Sequence, residues 1–342
     1  MTTGDGRLAG YSAVSTALAL LSDRRLAALM AEAPPVFTGI GGTAVLLEVE
    51  GRAVFVKRVP LTDLERLPEH VMSTVNMFQL PTWYQYGIGS AGFGVWRELA
   101  AHTMTTNWVL EGRCESFPLL YHWRVLPGEA TAMADLDQLV EYWDGSPAVR
   151  QRLEAIVRAS ASVMLFLEYV PQTLRQWLDA RIGNGLAPAY AAVERNLVAD
   201  VSFMNANGLL HLDAHFGNIL TDGRRLYFTD FGLATSPRFE LSAAESSFVE
   251  RNASHDSCFA VTSLVNWLVS AVTGLTDPKE RNAFVRRWAD GGDPPGVPDW
   301  AADVIRRHAP TAAVVNEFYW TLRFANRQAP YPATALPAGT PR

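Results

Sequence analysis

The sequence contains little cysteine and carries no excess of positive charge. Only two of its 342 residues are cysteines, Cys114 and Cys258, and they lie far apart. Such usage gives neither a disulfide framework nor the spacing of a cysteine metal site, and it predicts a reduced, cytoplasmic protein. The formal net charge of −6 argues against a general nucleic-acid partner, because such partners favour a basic surface.

Long hydrophobic runs are also missing. The longest apolar stretch, Val261 to Leu275, is interrupted by polar residues and is shorter than the roughly 20 residues that a spanning helix needs. We therefore predict a buried core helix here and no membrane partner. Near the N-terminus an apolar stretch runs directly into charged residues 23–25, which predicts an amphipathic helix over about residues 14–31 and no signal peptide. Its expected buried positions are Leu18, Leu21, Leu26 and Met30.

What is present is a change along the chain from β-rich to helical sequence. Two β-branched runs, Thr43 to Glu50 and Ala53 to Val59, flank a short glycine-containing turn and predict a hairpin. An irregular stretch follows, and a helical pattern starts at Val95. Further strands are predicted over residues 117–126 and 163–169, and later helices over about 172–182, 189–206, 256–274, 277–289 and 298–307. This order predicts an α+β fold with two lobes joined near residues 168–171.

Composition also suggests where the parts of the chain begin and end. Ala33-Pro34-Pro35 should end the N-terminal helix, and prolines crowd the last residues of the sequence. We predict an N-terminal helical extension (1–35), a β-rich lobe with an insertion at 61–95 (36–168), a helical lobe (169–328) and a loose proline-rich tail (329–342).

Two motifs carry the strongest functional signal. The first is His211-Leu212-Asp213-Ala214-His215-Phe216-Gly217-Asn218, and Asp230-Phe231-Gly232 follows it. In this order and spacing they resemble the catalytic loop and the metal motif of the protein-kinase-like superfamily. The resemblance covers about residues 36–275. It implies a bilobal protein-kinase-like fold with a β-rich N-lobe and a mainly helical C-lobe, and it implies ATP and Mg²⁺ as cofactors.

The resemblance also assigns roles to these residues, and the chemistry suits them. Phosphoryl transfer depends mostly on positioning and on neutralisation of charge. Asp213 would accept or orient the proton of the acceptor hydroxyl, while Asn218 and Asp230 would give oxygen ligands to Mg²⁺. An ordinary polar surface loop is the alternative, and two motifs in the right order between the right elements make it the weaker one.

The nucleotide would be held by residues of the first half. Lys57 lies in an apolar strand that resembles the kinase strand whose lysine contacts the α- and β-phosphates, although alone it would fit a strand lysine that snorkels to solvent. A glycine turn precedes Lys57, and its amides would approach the phosphates. That turn contains Gly39, Gly41 and Gly42, and Ala44 occupies the third glycine position of the family pattern.

Three further positions complete the expected nucleotide site. Glu98, on the helix that starts at Val95, would pair with Lys57 as the family's helix glutamate does, with a solvent-exposed glutamate as the alternative. Leu165 to Pro171 resembles the hinge between kinase lobes. There the backbone carbonyl of Glu168 and the amide of Val170 would bind the adenine edge.

A rival glycine motif lies in the insertion. Gly87-Ile88-Gly89-Ser90-Ala91-Gly92 fits G-x-G-x-x-G more closely, and a helix follows it, as in a dinucleotide-binding Rossmann site. No alternating βαβ series surrounds it, however, and it follows Lys57 instead of preceding it. We predict a mobile loop that leads into the helix.

The acceptor is less clearly marked. Twenty-five residues separate Asp230 from Asp256, which should brace the catalytic loop or cap its helix, and no Ala-Pro-Glu segment occurs between them. His215 stands where protein Ser/Thr kinases carry lysine, and its motif resembles aminoglycoside phosphotransferases. Leu212 replaces an arginine that would read a phosphorylated activation segment, so we expect no such switch. We favour a protein Ser/Thr kinase over a small-molecule (antibiotic-type) phosphotransferase, with a nucleotide-binding pseudokinase as the non-enzyme alternative.

Overall fold

The computed structural model describes residues 4–39, 42–87, 89–128, 133, 135–182, 186–293 and 295–337. The protein has an α+β fold, and the strands of its two sheets pair antiparallel. The chain divides into two compact units. The first comprises residues 1–170, 230–234 and 239–242, and the second comprises 171–229, 235–238 and 243–342.

A five-stranded sheet forms the frame of the first unit. Its order is β1-β2-β3-β5-β4, with β1 (Pro35–Gly39), β2 (Gly42–Val49), β3 (Arg52–Leu61), β4 (Leu120–Pro127) and β5 (Ala161–Glu168). The pairing of β2 with β3 confirms the predicted hairpin. An all-antiparallel sheet also removes the Rossmann alternative, which needs parallel strands joined by crossover helices.

The first unit contains five helices among its described residues: α1 (Gly4–Ala19), α2 (Asp23–Glu32), α3 (Val95–Leu110), α4 (Leu136–Tyr142) and α5 (Pro147–Val157). The prediction of a single N-terminal helix was wrong. Two helices form because Ser22 caps α2, its side chain accepting a hydrogen bond from the backbone N–H of Arg25 at 3.3 Å. Leu18, Leu26 and Met30 are buried as predicted, whereas Leu21 is half-buried.

Two hydrophobic clusters hold this unit together. One joins α3 to the sheet through Val95, Trp96, Leu99, Val59, Val163 and Leu165. The other joins the insertion to α4 and α5, with Tyr84 and Phe93 packed against Trp143 and Leu153. The insertion therefore shares a core with α4 and α5, although its only regular elements among the described residues are 3-10 turns at Pro68–His70 and Thr82–Gln85.

Helices dominate the second unit. They are α6 (Leu174–Asp179), α7 (Leu186–Ala206), α8 (Ala243–Arg251), α9 (His255–Thr273), α10 (Pro278–Ala289) and α11 (Asp299–Phe324), beside a small sheet of β6 (Gln172–Thr173), β7 (Ile219–Thr221) and β8 (Leu226–Phe228). In the described part of the chain, α9 alone is long and apolar enough to cross a membrane, and 56% of its most apolar 18-residue window is buried within the protein. Helix α9 packs against α7, α10 and α11, as a core helix does.

The C-terminal part of this unit differs from expectation. Helix α11 is longer than the predicted 298–307 because it continues through Pro310. Ala329 and Tyr331 in the proline-rich segment are buried, although composition predicts a loose tail. The ring of Tyr331 lies 5.5 Å from those of His255 and Phe318, and residues 338–342 lie outside the described part.

Candidate functional site

Lys57 lies at the centre of an ion triad in the first unit. Side chains alternate along a strand, so Lys57 shares its face of β3 with Val59, which packs against α3. Glu98 is on that helix, and its Oε1 lies 2.6 Å from Lys57 Nζ. Asp230 Oδ1 lies 2.7 Å from the same nitrogen. The structure thus joins three residues that the sequence places 41 and 173 positions apart.

The three side chains of the triad differ in exposure, and the pKa values of Lys57 and Glu98 are both raised. Burial by itself lowers the pKa of Lys57, but the carboxylates of Asp230 and Glu98 outweigh it and raise that pKa above its ordinary value. Burial raises the pKa of Glu98, and Lys57 opposes that rise. The side chain of Asp230 is 49% exposed, compared with 4% for Glu98. Asp230 is therefore the member of the triad that an external ligand can reach.

The backbone conformation at Asp230 keeps its carboxylate accessible. This residue has φ 61° and ψ 67°, the left-handed conformation, which aspartate tolerates better than most residues. A 3-10 turn, Phe231–Leu233, follows it. Phe231 is fully buried, with its ring 4.9 Å from that of His102 and 6.4 Å from that of Phe117. The buried ring anchors the turn while the preceding carboxylate stays accessible.

Asp213 and Asn218 form a second group, in the second unit. Asn218 Nδ2 donates to the backbone oxygen of Asp213 at 3.0 Å and to its Oδ2 at 3.1 Å. These bonds orient the Asp213 carboxylate, and they leave the amide oxygen as the remaining polar atom of the Asn218 side chain. The backbone N–H of Thr229, the residue before Asp230, donates to the Asn218 carbonyl at 3.0 Å.

Asp256 supports this loop from a buried position. Its carboxylate accepts hydrogen bonds from the backbone N–H groups of His211 at 2.6 Å and Leu212 at 2.9 Å. Leu212 has φ 63°, which is strained for a leucine, so the loop needs such bonds to keep its shape. The predicted brace is present. The alternative of a helix N-cap is wrong, because Ser254 holds that position and Asp256 lies in the first turn of α9.

We expect Asp256→Asn to lower the free energy of unfolding by about 2–3 kcal/mol at pH 7, since charge-assisted bonds to two backbone N–H groups are weakened. Burial raises the pKa of Asp256, but hydrogen bonds and charges from His255 and His211 outweigh it, and the net pKa is lowered from 3.8. The stabilisation that the ionised Asp256 carboxylate contributes is therefore fully present above pH 3.8. It is lost as the pH falls towards the lowered pKa of the folded state.

Urea unfolding from pH 7 down to pH 3 checks this expectation. The difference in the free energy of unfolding between wild type and Asp256→Asn should become smaller towards pH 3. Asp277→Asn is the matched control. Asp277 is an exposed helix N-cap, and its carboxylate accepts a single backbone hydrogen bond, from the N–H of Glu280. Its substitution should cost about 1 kcal/mol or less. Equal losses for the two variants would contradict the special role of Asp256.

The remaining predicted residues lie elsewhere in the first unit. Gly39 and Gly42 are backbone partners at the end of the β1–β2 ladder, and Gly41 lies outside the described residues. Glu168 ends β5, and its carboxylate receives Arg7 Nε at 3.0 Å, Arg7 Nη2 at 2.6 Å and the N–H of Leu119 at 3.1 Å. Val170 is buried.

Sequence reasoning missed Arg7, which is 6% exposed and also donates to the carbonyl of Glu115 at 3.1 Å. No local pattern marks Arg7, because its partner lies 161 residues away. The predicted site residues thus form two groups, Lys57 with Glu98 and Asp230, and Asp213 with Asn218. No protein-family model and no curated protein matches this chain.

Proposed function

We propose that this protein is an ATP-dependent phosphotransferase of the bilobal protein-kinase-like type, which transfers the γ-phosphate to an acceptor hydroxyl. The observation that carries the proposal is the ion triad. Its buried carboxylate, Glu98, holds Lys57, and its half-exposed carboxylate, Asp230, belongs to an Asp-Phe-Gly motif. A fixed ammonium beside a reachable carboxylate suits phosphate binding and Mg²⁺ binding respectively.

The available ligands suit Mg²⁺ better than a tightly caged metal. In the described ranges no group of three or more His, Cys, Asp and Glu residues is placed to hold a metal ion. Mg²⁺ is usually bound by one or two protein oxygens together with phosphate oxygens and water. We assign these protein oxygens to Asp230 and Asn218. When bound, the ion would neutralise charge on the phosphates.

Asp213 is the proposed catalytic base, or at least the group that orients the acceptor hydroxyl. Two features support this role: Asn218 fixes its carboxylate, and the side chain is 22% exposed, so an acceptor can reach it. The adenine would lie against the backbone of Glu168 and Val170, and Gly39, Gly41 and Gly42 would approach the phosphates. Neither Cys114 nor Cys258 forms a disulfide, which agrees with the cytoplasmic location that we propose.

A protein serine or threonine is the acceptor that we favour, because the Lys57 strand, the hinge-like segment Leu165 to Pro171 and Asp-Phe-Gly resemble those of protein kinases. A small-molecule hydroxyl is the second candidate, and His215 favours it. The side chain of His215 is 49% exposed, and its Nε2 lies 4.0 Å from Asp213 Oδ2, a pair that suits recognition of a polar compound. A pseudokinase is the weaker interpretation. All four residues that the chemistry would need are present, namely Lys57, Asp213, Asn218 and Asp230.

Two measurements test the proposal in sequence. We expect Mg²⁺ with ATP to raise the melting temperature of the protein, and Asp230→Ala to weaken that response. Absence of any response in the wild type would refute the nucleotide site. Labelled ATP is then offered with cell protein and, in parallel, with a pool of small molecules. Label in one fraction identifies the acceptor class, and label in neither would favour the pseudokinase.

A further inference from the structure

We infer that the insertion, residues 61–95, is a built-in clamp that positions Asp230, with Gln85 and Gly92 as its positioning residues. The inference deepens the proposed function and rests on it for the role of Asp230. The contacts that support it all lie in the first unit. They involve the turn Phe231–Leu233, which we call the metal-motif turn, and Glu240 just beyond it.

Gln85 makes the first contact. Its side chain is buried, and its Nε2 donates to the backbone carbonyl of Leu233 at 2.5 Å. A buried hydrogen bond is costly to lose, because the stranded carbonyl would have no water to replace its partner. The bond therefore fixes the C-terminal end of the metal-motif turn, three residues from Asp230.

Gly92 makes the second contact, through close approach of two backbone segments. It has φ +72°, and a Cβ built on it would lie 2.3 Å from the carbonyl oxygen of Gly232. No side chain fits in that space, so the insertion abuts the middle of the metal-motif turn. Gly92, in the glycine-rich stretch 87–94, thus contacts the metal-motif turn. The sequence did not reveal this role, which differs from phosphate binding.

Glu240 provides the third contact. Its Oε2 accepts from Ser73 Oγ at 3.0 Å and from the N–H of Thr74 at 3.1 Å. In return, the N–H of Glu240 donates to Thr74 Oγ1 at 2.8 Å. Reciprocal bonds of this kind tie the chain beyond the metal-motif turn to the same insertion.

The insertion is itself firmly held, which a clamp requires. Within its cluster, Tyr84 is fully buried and its hydroxyl accepts the N–H of Ala91 at 3.0 Å, next to Gly92. Glu65 forms a buried ion pair with Arg152 at 2.8 Å. The other oxygen of Glu65 accepts the N–H of Val95 at 3.0 Å and so caps α3, the helix that carries Glu98.

The clamp thus positions both carboxylates that pair with Lys57, those of Glu98 and Asp230. One end of the insertion caps the helix of Glu98, and its contacts with the metal-motif turn fix the backbone that follows Asp230. In kinases this segment is often ordered by phosphorylation and an arginine that reads the phosphate. Here Leu212 occupies the arginine position, and unmodified contacts hold the segment. We therefore expect the site to be ordered without any modification.

The test compares Gly92→Ala with Gly89→Ala in the full chain. Gly89 has φ +79° and nothing within 4 Å of a built Cβ, so the control carries the same backbone strain without the clash. Hydrogen exchange of residues 231–241 should become about tenfold faster in Gly92→Ala and stay unchanged in Gly89→Ala. The Mg²⁺ concentration that half-saturates the ATP-dependent thermal shift should rise about tenfold, whereas ATP binding without Mg²⁺ should not change.

Gln85→Met, which removes the donor at similar size, is the second variant and should act in the same direction. Exchange of residues 231–241 that is equal in Gly92→Ala, Gln85→Met and Gly89→Ala would overturn the clamp. Faster exchange combined with an unchanged Mg²⁺ requirement would overturn its role in positioning Asp230. Failure of the proposed function looks different, because wild type would then lack the Mg²⁺–ATP response while the exchange result still decides whether the clamp exists.

Discussion

Replacement of Asp213 by alanine should lower the rate of phosphoryl transfer by about 10²–10⁴-fold, the usual contribution of a positioned proton acceptor. The structure gives the reason. The carboxylate of Asp213 is oriented by Asn218, and it belongs to a loop whose backbone is tied to buried Asp256. Binding of Mg²⁺ and ATP should survive, because the ion triad does not include Asp213. The measurement is initial-rate transfer of labelled phosphate, together with a thermal-shift titration with Mg²⁺–ATP.

Two companion variants make this result decisive. Asp213→Asn keeps the size of the side chain and removes the proton acceptor, so its loss of rate should match that of the alanine variant. Asp299→Asn changes an exposed aspartate at the start of α11 and should leave the rate unchanged. An Asp213→Asn enzyme with the wild-type rate would show that proton acceptance at this position contributes nothing.

Local patterns predict the parts of this fold that depend on neighbouring residues. Two β-branched runs around a glycine-containing turn indicated the hairpin of β2 with β3. Alternation of side chains along β3 places Lys57 on one face together with Val59. Glu98 lies on the helix that was predicted to start at Val95, and the family resemblance indicated it as the partner of Lys57. The 2.6 Å contact between Lys57 and Glu98 therefore joins two elements that were each recognisable from the sequence.

Features that depend on distant partners could not be predicted in this way. Helices α4 and α5 pack with the insertion and were not predicted, although Val149, Leu153 and Ile156 of α5 are buried at helical spacing. Gln85 contacts a residue 148 positions away. Its local sequence carries no trace of that partner, and the loop prediction for residues 87–94 likewise missed the contact of Gly92 with Gly232.

The proposed catalytic loop, residues 211–218, shows both situations. The resemblance to the family's motifs indicated Asp213, Asn218 and Asp256 by residue type and spacing. The strained backbone of Leu212 and the full set of bonds to Asp256, which also receives Asn205 Nδ2 at 2.9 Å and contacts His255 Nδ1 at 3.2 Å, were not evident from the sequence. They arise from a buried carboxylate that meets backbone groups 44 and 45 positions away.

Lys57→Met should reduce stability strongly as well as abolish binding of the nucleotide phosphates. It leaves Glu98, whose side chain is 4% exposed, as a buried carboxylate without its cation. Removal of one partner of a buried pair typically costs about 3–5 kcal/mol. The double variant Lys57→Met/Glu98→Gln removes that charge as well, so most of the lost stability should return while phosphate binding does not. Urea unfolding at pH 7 and a Mg²⁺–ATP titration of both variants measure the two effects.

The stability that Lys57→Met loses should depend on pH, because the charge of Glu98 does. Burial already raises the pKa of Glu98, and the loss of Lys57, which opposes that rise, raises it further. An acid whose folded-state pKa is raised favours the native state more as the pH falls. The deficit of Lys57→Met should therefore shrink at pH 5 relative to pH 8, and the double variant should show no such trend.

Lys279 provides the matched control, since it is the other lysine of the chain and is exposed. Lys279→Met should change the free energy of unfolding by less than about 0.5 kcal/mol and leave the nucleotide response intact. If the double variant is as unstable as Lys57→Met, the stranded charge of Glu98 is not the cause of the deficit. Recovery of stability without recovery of phosphate binding would instead separate the role of Lys57 as a counter-ion for buried Glu98 from its proposed role as the cation that binds the phosphates.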